Sequence, residues 1–356
     1  MNIYGYIKEE NKAFNEKPFG AVDALVFSWL AYYDFEKIKE IYPLPLKAIK
    51  DIPYYQKLGP YYAAVLARPS KKIMMALSDS PRFQNVEILE SFSLSDKKLN
   101  VQFGAIAVRF NNQIVVGYRG TDLSYTGWKE DFTLSYKDTI YSYSLAISFL
   151  NKVLQNYQES ITLVGHSKGG HICTYLLSQI KNDSRIERVY SFDGPGFRTL
   201  DLFKGKEERL DKFIKIIPQS SFVGVLFSNE TEMQIIKSRN VMLLQHNPLE
   251  WLVKNGDFIY LKKRAFSSKY LEKAINSWIN SLDEKERERF TEIVFGELDK
   301  LEAQDFKAFL KGILKQIKPL YKAYRHLDKE DKKLLFHVAK QLIKNLIKPE
   351  KKKMVQ

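Results

Sequence analysis

Residues 161–173 read ITLVGHSKGGHIC, and the fold turns on this stretch. An apolar β-branched run, Ile161 to Val164, enters Gly165-His166-Ser167-Lys168-Gly169. Beyond it Ile172, Tyr175, Leu176 and Ile180 recur at helical spacing. A strand, G-x-S-x-G and a helix, in that order, form the signature of a nucleophile elbow. A strand that reverses sharply into a helix holds its central residue in a strained conformation. Side chains two places before and after that residue would collide, so glycine stands at both. The strain lifts the Ser167 hydroxyl above the strand ends and aims the Lys168 backbone N–H at a developing oxyanion.

A serine hydroxyl is a weak nucleophile until a base takes its proton, and the base needs an orienting acid. In α/β-hydrolases these follow in chain order serine, acid, histidine, each at a strand end. Of the five histidines, His326 and His337 lie in a basic tail. His166 sits inside the elbow, facing away from the serine. His171 lies on the elbow helix beneath it, where it packs or hydrogen-bonds locally. His246 follows the run Met242 to Leu244, taken as the last strand, and is the expected base. Asp193 directly follows the strand Val189 to Phe192 and is the expected acid. The loop after the next strand, PQSSFVG from Pro218 to Gly224, holds no acid, and Asp211 stands at the wrong end of that strand. Thr121 follows the strand Gln113 to Tyr118 through Arg119-Gly120. Its N–H, helped by its hydroxyl, is expected to face the Lys168 N–H across the oxyanion hole. Arg119, Trp128 and Asp131 are expected to pin that loop.

The rest of the chain sets the frame. Its 356 residues can bury a large core, and 45% are hydrophobic. The single cysteine, Cys173, excludes an internal disulfide and suits a reducing compartment as a small buried residue. The start, MNIYGYIKEENK, has no secretory pattern, and Ala24 to Tyr33 is too short to cross a bilayer. These features point to a cytoplasmic protein, with peripheral membrane contact left open. No metal-ligand cluster, Walker loop or dinucleotide fingerprint stands out, so neither cofactor nor metal is expected. Residues 1–17 read as a loose polar segment, 18–264 as the α/β-hydrolase domain and 265–356 as a basic helical extension. Residues 301–356 hold 15 Lys+Arg against 6 Asp+Glu, so most of the net charge of +14 belongs to the tail.

In order, Val22 to Ile38 reads as a helix, Tyr61 to Leu66 and Lys72 to Leu77 as short helices. NVEILESFSL and NVQFGAIAVRF, joined by Ser95-Asp96-Lys97-Lys98, read as a hairpin. Tyr141 to Tyr157 is a helix and Phe213 to Ile217 a strand. Apolar strands separated by helices indicate a mostly parallel sheet covered on both faces.

YRGTD, GWKEDF, GHSKGG, FDGPGF, PQSSFVG and QHNPLEW together resemble the Mbeg-like group of α/β-hydrolases. That is a bacterial family of largely unknown function, related to the class 3 (fungal-type) lipases. The resemblance spans Phe19 to Phe258, and more loosely the helices to about residue 347. It implies Ser167 as nucleophile, Thr121 and Lys168 as oxyanion hole and His246 as base. There are two departures. The class 3 lipases place an aspartate where this chain has Ser220-Ser221, which moves the acid to Asp193. The asparagine expected after SKGG is His171.

The function expected is a serine esterase of lipase or lysophospholipase type, acting on acyl esters or lipids. The alternative is a degenerate hydrolase serving as a binding or scaffold protein. Acyl transfer and thioester cleavage stay open. Phe222, Val225, Leu226 and Phe227 form an apolar run that is core, acyl-pocket wall or lid. The tail stripe Phe309, Leu310, Ile313, Ile317 and Leu320 packs on the body or lies on anionic membrane. No nucleic-acid recognition motif is present, so no nucleic-acid partner is expected.

Overall fold

The computed structural model describes residues 1–53, 71–122, 124–180, 184–199, 201–229, 231–300 and 313–348. The expected helix Tyr61 to Leu66, with Phe309 and Leu310 of the tail stripe, lies outside them. Helices α1 (Ile3–Glu9), α2 (Ala21–Leu30) and α3 (Lys71–Asp79) come first. A two-residue strand β1 (Leu44–Pro45) lies between α2 and α3. Then follow β2 (Glu87–Asp96), β3 (Val101–Phe110) and β4 (Gln113–Tyr118), an antiparallel meander. From β4 the sheet turns parallel through β5 (Ser160–His166), β6 (Ile186–Phe192), β7 (Phe213–Pro218) and β8 (Met233–Ile236). The parallel steps are bridged by α4 (Tyr125–Thr133), α5 (Tyr141–Asn156) and α6 (Lys168–Gln179). Short β9 (Val253–Lys254) and β10 (Asp257–Phe258) pair with each other, and β11 (Tyr260–Leu261) closes the edge against β8. The main sheet runs β1-β2-β3-β4-β5-β6-β7-β8-β11. Helices α7 (Phe266–Asn280), α8 (Glu284–Leu298), α9 (Ile313–His326) and α10 (Lys329–Ile347) complete the chain. A mixed sheet with a parallel body, helices on both faces and an elbow after β5 is the α/β-hydrolase fold.

Strand alternation divides the core into two layers. Ile106, Val108, Val115, Val164 and Phe192 face α1, α2 and α3. Ala105, Ile114, Val116, Ile161 and Leu163 face α5 and α6. Cys173 is buried in the second layer, as its sequence context suggests.

Three expectations change. The N-terminal segment is not loose: Ile3, Tyr6 and Ile7 of α1 are buried. Tyr6 donates to Asp23 of α2 at 2.8 Å, and the buried Arg82 grips both oxygens of that carboxylate at 2.7 Å. Such a fork, with all its donors used, satisfies a charge that would be costly to bury alone. The helix from Val22 ends at Leu30, and a 3-10 turn occupies Phe35–Ile41; the chain between them delivers Tyr32 to the elbow. Met242 to Leu244 is not a strand. It belongs to a 3-10 turn, Met242–His246, with Met242 and Leu244 exposed and Met242 at φ 48°. The strand in that part of the chain is β8, whose Met233-Gln-Ile-Ile236 is half exposed and too short to show a period.

The described parts of the tail from Phe266 are mainly helical, as expected, but α7 and α8 do not stand apart from the body. Tyr125 of α4 clusters with Phe295 and Leu298 of α8, against Trp128 and Phe132. Asn276 of α7 accepts from the Phe227 N–H at 2.8 Å, and Ser268 donates to the Ser221 carbonyl at 2.7 Å. Arg289 of α8 forks onto Asp331 of α10 at 2.8 and 2.6 Å. Among the described residues no helix is long and apolar enough to cross a membrane.

Candidate active site

Thr121, Ser167, Lys168 and Asp193 follow the carboxyl ends of parallel strands, where open α/β sheets form their clefts, and His246 comes in from the 3-10 turn Met242–His246. Register explains the meeting. Tyr118 of β4 lies beside Gly165 of β5, and His166 lies beside Phe192 of β6. The segments that follow, Thr121, Ser167 and Asp193, therefore emerge side by side.

Ser167 adopts φ 59° and ψ −130°, a region L-residues rarely occupy. The flanking glycines are a steric necessity. A Cβ at Gly165 would sit 2.2 Å from the Gly169 carbonyl carbon, and one at Gly169 would sit 2.0 Å from the Tyr118 oxygen. The Ser167 hydroxyl lies 3.0 Å from His246 Nε2, and His246 Nδ1 lies 2.7 Å from Asp193 Oδ2. Asp193 is fully buried at the end of β6. Its second oxygen accepts from the Ser221 hydroxyl and from the Gly224 N–H at 3.1 Å. The loop that lacks an acid thus supplies donors to the acid one strand away.

Lys168 points its side chain into the protein while its N–H stays at the start of α6. Its ammonium uses all three donors: Gln102 carbonyl at 2.6 Å, Gln102 Oε1 at 3.2 Å and Glu130 at 2.6 Å. Glu130 also accepts from the Gln102 N–H at 3.1 Å and the Ser142 hydroxyl at 2.6 Å. This buried ion pair ties the elbow to α4 and β3 and leaves neither charge unsatisfied. Among the described residues neither the Lys168 nor the Thr121 N–H is spent on another protein group. The Thr121 hydroxyl does not face Lys168 as expected. It donates to Asp131, 2.7 and 2.6 Å from the two carboxylate oxygens. Burial pushes the Asp131 carboxyl up to about 6, against the pull of Lys168 and the Thr121 hydroxyl. Asp131 therefore pins the loop, as expected; Arg119 does so too, donating to the Phe103 carbonyl at 2.6 Å.

Two histidines outside the hydrogen-bonded chain support it. His166 points away from Ser167, as expected, with Nε2 2.9 Å from the His246 carbonyl and Nδ1 3.1 Å from the Tyr32 hydroxyl. A carbonyl only accepts, so Nε2 carries the proton and Tyr32 donates to Nδ1. His166 thereby holds the backbone of His246, a role invisible in the sequence because the partners are 80 residues apart. His171 bonds locally, as expected. Its Nδ1 donates to the Pro195 carbonyl at 3.1 Å and its Nε2 accepts from Tyr143.

Burial pushes His171 down to about 4 and holds His166 well below the ordinary histidine value. A base whose folded pKa is depressed leaves the unfolded chain binding more protons. Stability therefore falls as pH drops from the ordinary value of 6.5 toward 4, by ~1.4 kcal/mol per pH unit for each such group. Asp131 has the opposite sign: its raised pKa relieves the folded state as pH falls through 6. The difference between two proteins isolates His171. His171→Asn is expected to be less stable than wild type at pH 7, with the gap narrowing by roughly 2 kcal/mol at pH 5. Urea unfolding at the two pH values measures it, and a gap unchanged by pH would mean that His171 titrates alike in both states.

A cavity of about 480 Å³ opens beside Ser167 and His246. Phe222, Leu226 and Phe227 line it, while Val225 is buried, so the apolar run is divided between wall and core. Trp278 and Ile279 of α7 and Phe290 of α8 supply the opposite side. The tail helices are thus part of the site, a role their amphipathic pattern alone does not distinguish from ordinary packing.

No curated protein matches the chain. Among solved structures it is similar to a mutant form of MDLA from Penicillium cyclopium, at 12% identity and TM-score 0.38, covering 68% of this chain and 87% of that one. It is also similar to Lip2 lipase from Yarrowia lipolytica, at 17% identity and TM-score 0.35, covering 64% and 97%. A third is a lipase from Rhizopus microsporus var. chinensis, at 13% identity and TM-score 0.33, covering 68% and 84%. The Mbeg1-like family model matches residues 77–296, from the end of α3 through the elbow, Asp193 and His246 and most of α8. With more than half its length matched, the chain belongs to the Mbeg1-like family.

Proposed function

We propose that the protein is a serine hydrolase of carboxylic esters, with Ser167 as nucleophile, His246 as base and Asp193 as the acid that orients it. The observation that carries this is the continuous hydrogen-bonded chain from Ser167 Oγ through both His246 nitrogens to Asp193. His246 Nε2 takes the Ser167 proton as the serine oxygen bonds to the ester carbonyl carbon. The Lys168 and Thr121 N–H groups hold the resulting oxyanion, in the manner of other acyl-transfer sites. As the tetrahedral intermediate collapses, the bond to the leaving alkoxide breaks and His246 returns the proton to it. Water, deprotonated by His246, then attacks the acyl-enzyme; the ester bond to Ser167 breaks, the carboxylic acid departs and the serine regains its proton.

Asp193 meets the requirement that the base be held in one tautomer, because Nδ1–H donates to the carboxylate and leaves Nε2 free to accept. That bond counts against a degenerate scaffold. The apolar cavity suits an acyl chain or a lipid. We place the enzyme in the cytoplasm, with the helices from residue 265 as a basic extension of the hydrolase unit at 18–264. A p-nitrophenyl ester series of increasing acyl length tests the reading. Turnover that rises with chain length until the cavity is filled is expected, with a burst of one nitrophenol per active site if deacylation is slow. No turnover of any ester by folded protein would overturn it.

A further inference from the structure

The cavity beside Ser167 is walled by aromatic and aliphatic side chains, yet a guanidinium also lines it, that of Arg287 in the first turns of α8. Lys168, the other cation at the cavity, spends its ammonium on Glu130 and Gln102 inside the protein. Among the described residues Arg287 has no such partner. Its Nη1 reaches the Ile279 carbonyl at only 3.5 Å, and its Nε is buried without an acceptor among the described residues. The nearby carboxylates are engaged elsewhere, those of the same cavity included: Asp131 accepts from the Thr121 hydroxyl and Asp122 from the Ser124 hydroxyl. Asp283 caps α8 through the Glu286 N–H at 2.8 Å, and Glu284 pairs with Arg198 at 3.4 Å. Burial, with the charge of Arg198 close by, holds Arg287 below the ordinary arginine value.

A guanidinium partly withdrawn from water, its Nε buried and unpaired by a carboxylate, is what an anion would relieve. Its planar donors match phosphate or carboxylate two at a time. Phe222, Leu226, Phe227 and Trp278 on the same cavity offer the complementary surface for a hydrocarbon chain. We propose that the substrate is an amphiphilic ester bearing an anionic group, a phosphate or a carboxylate, that binds Arg287 while the acyl chain lies along the aromatic wall and the ester carbonyl meets Ser167. This rests on the serine-esterase reading above. It makes Arg287 a specificity-determining residue.

Calorimetric binding of decyl phosphate, decanoate and decanol to the intact protein tests the site without turnover. Wild type is expected to bind at least one anionic amphiphile about tenfold or more tighter than decanol. Arg287→Gln is expected to erase that preference, and Arg287→Lys, which keeps the charge without the fork, to retain part of it. The phosphate and carboxylate arms identify which anion the site takes. Equal binding of all three ligands by wild type, or a preference that survives Arg287→Gln, would overturn the proposal. Lysine at 287 preserves the cation if glutamine there disturbs α8, and a thermal melt reads that directly. The two readings fail separately. Ester turnover without a charge preference in binding sinks the Arg287 site alone. A charge preference without ester turnover sinks the esterase reading and leaves an anion-binding pocket.

Discussion

Ser167→Ala is expected to lower kcat for acyl esters by ~10⁵-fold or more while the protein stays folded. The effect is large because, on the proposed mechanism, the hydroxyl is the attacking atom and no other group takes its place. The residual rate comes from an oxyanion hole and an acyl pocket that alanine leaves in place. The fold survives because the β-carbon is unchanged and the lost group makes one hydrogen bond, to His246 at 3.0 Å. Removing a neutral bond of that kind costs about 1 kcal/mol. Steady-state kinetics beside a thermal melt measure both. A variant retaining more than a few per cent of wild-type kcat would place the nucleophile elsewhere.

Asp193→Asn is expected to lower kcat by about 10⁴-fold with little loss of stability. Asparagine keeps the shape but offers an amide where His246 Nδ1 needs an acceptor, favouring the tautomer with the proton on Nε2. That proton then faces Ser167, and the imidazole is no longer a base toward it. The pH profile separates this from a merely structural change, since the rate should recover only when hydroxide replaces the base. Ser221→Ala should act in the same direction and less, because it removes one of the donors on Asp193 Oδ1 and leaves the Gly224 N–H at 3.1 Å. Wild-type kinetics in Asp193→Asn would mean that His246 is oriented by another group.

What was legible in the sequence follows from which constraints are local. The elbow is readable because the collision at Gly165 is with Gly169, four residues on, and the strand–G-x-S-x-G–helix pattern is contiguous; the clash at Gly169, with Tyr118 of β4, is not local. His246 and Asp193 are readable because chain order around an elbow restricts the choices; Asp193 also marks a true strand end, an apolar run breaking into Asp-Gly, whereas the run before His246 is a 3-10 turn. The rest depends on long-range pairing. The strand β8 leaves no mark in the sequence because a four-residue segment with a half-exposed pattern carries no period. Helix α1 looked polar, yet a seven-residue helix needs only Ile3, Tyr6 and Ile7 to join the core. Nothing in the chain reveals that Asp131 turns back to bind the Thr121 hydroxyl and draws it from the oxyanion hole. The cavity wall from α7 and α8 was hidden for the same reason. An apolar stripe says that a helix is covered, and not that what it covers includes the elbow at Ser167.

The most direct measurement is fluorophosphonate labelling of the purified protein, beside Ser167→Ala and His246→Ala, with the modified residue identified by mass spectrometry. The account predicts stoichiometric phosphonylation of Ser167 in wild type, none at that position in the alanine variant, and labelling slowed at least ~1000-fold without His246. Folded wild-type protein that resists the probe, or carries it on a residue other than Ser167, would contradict the account.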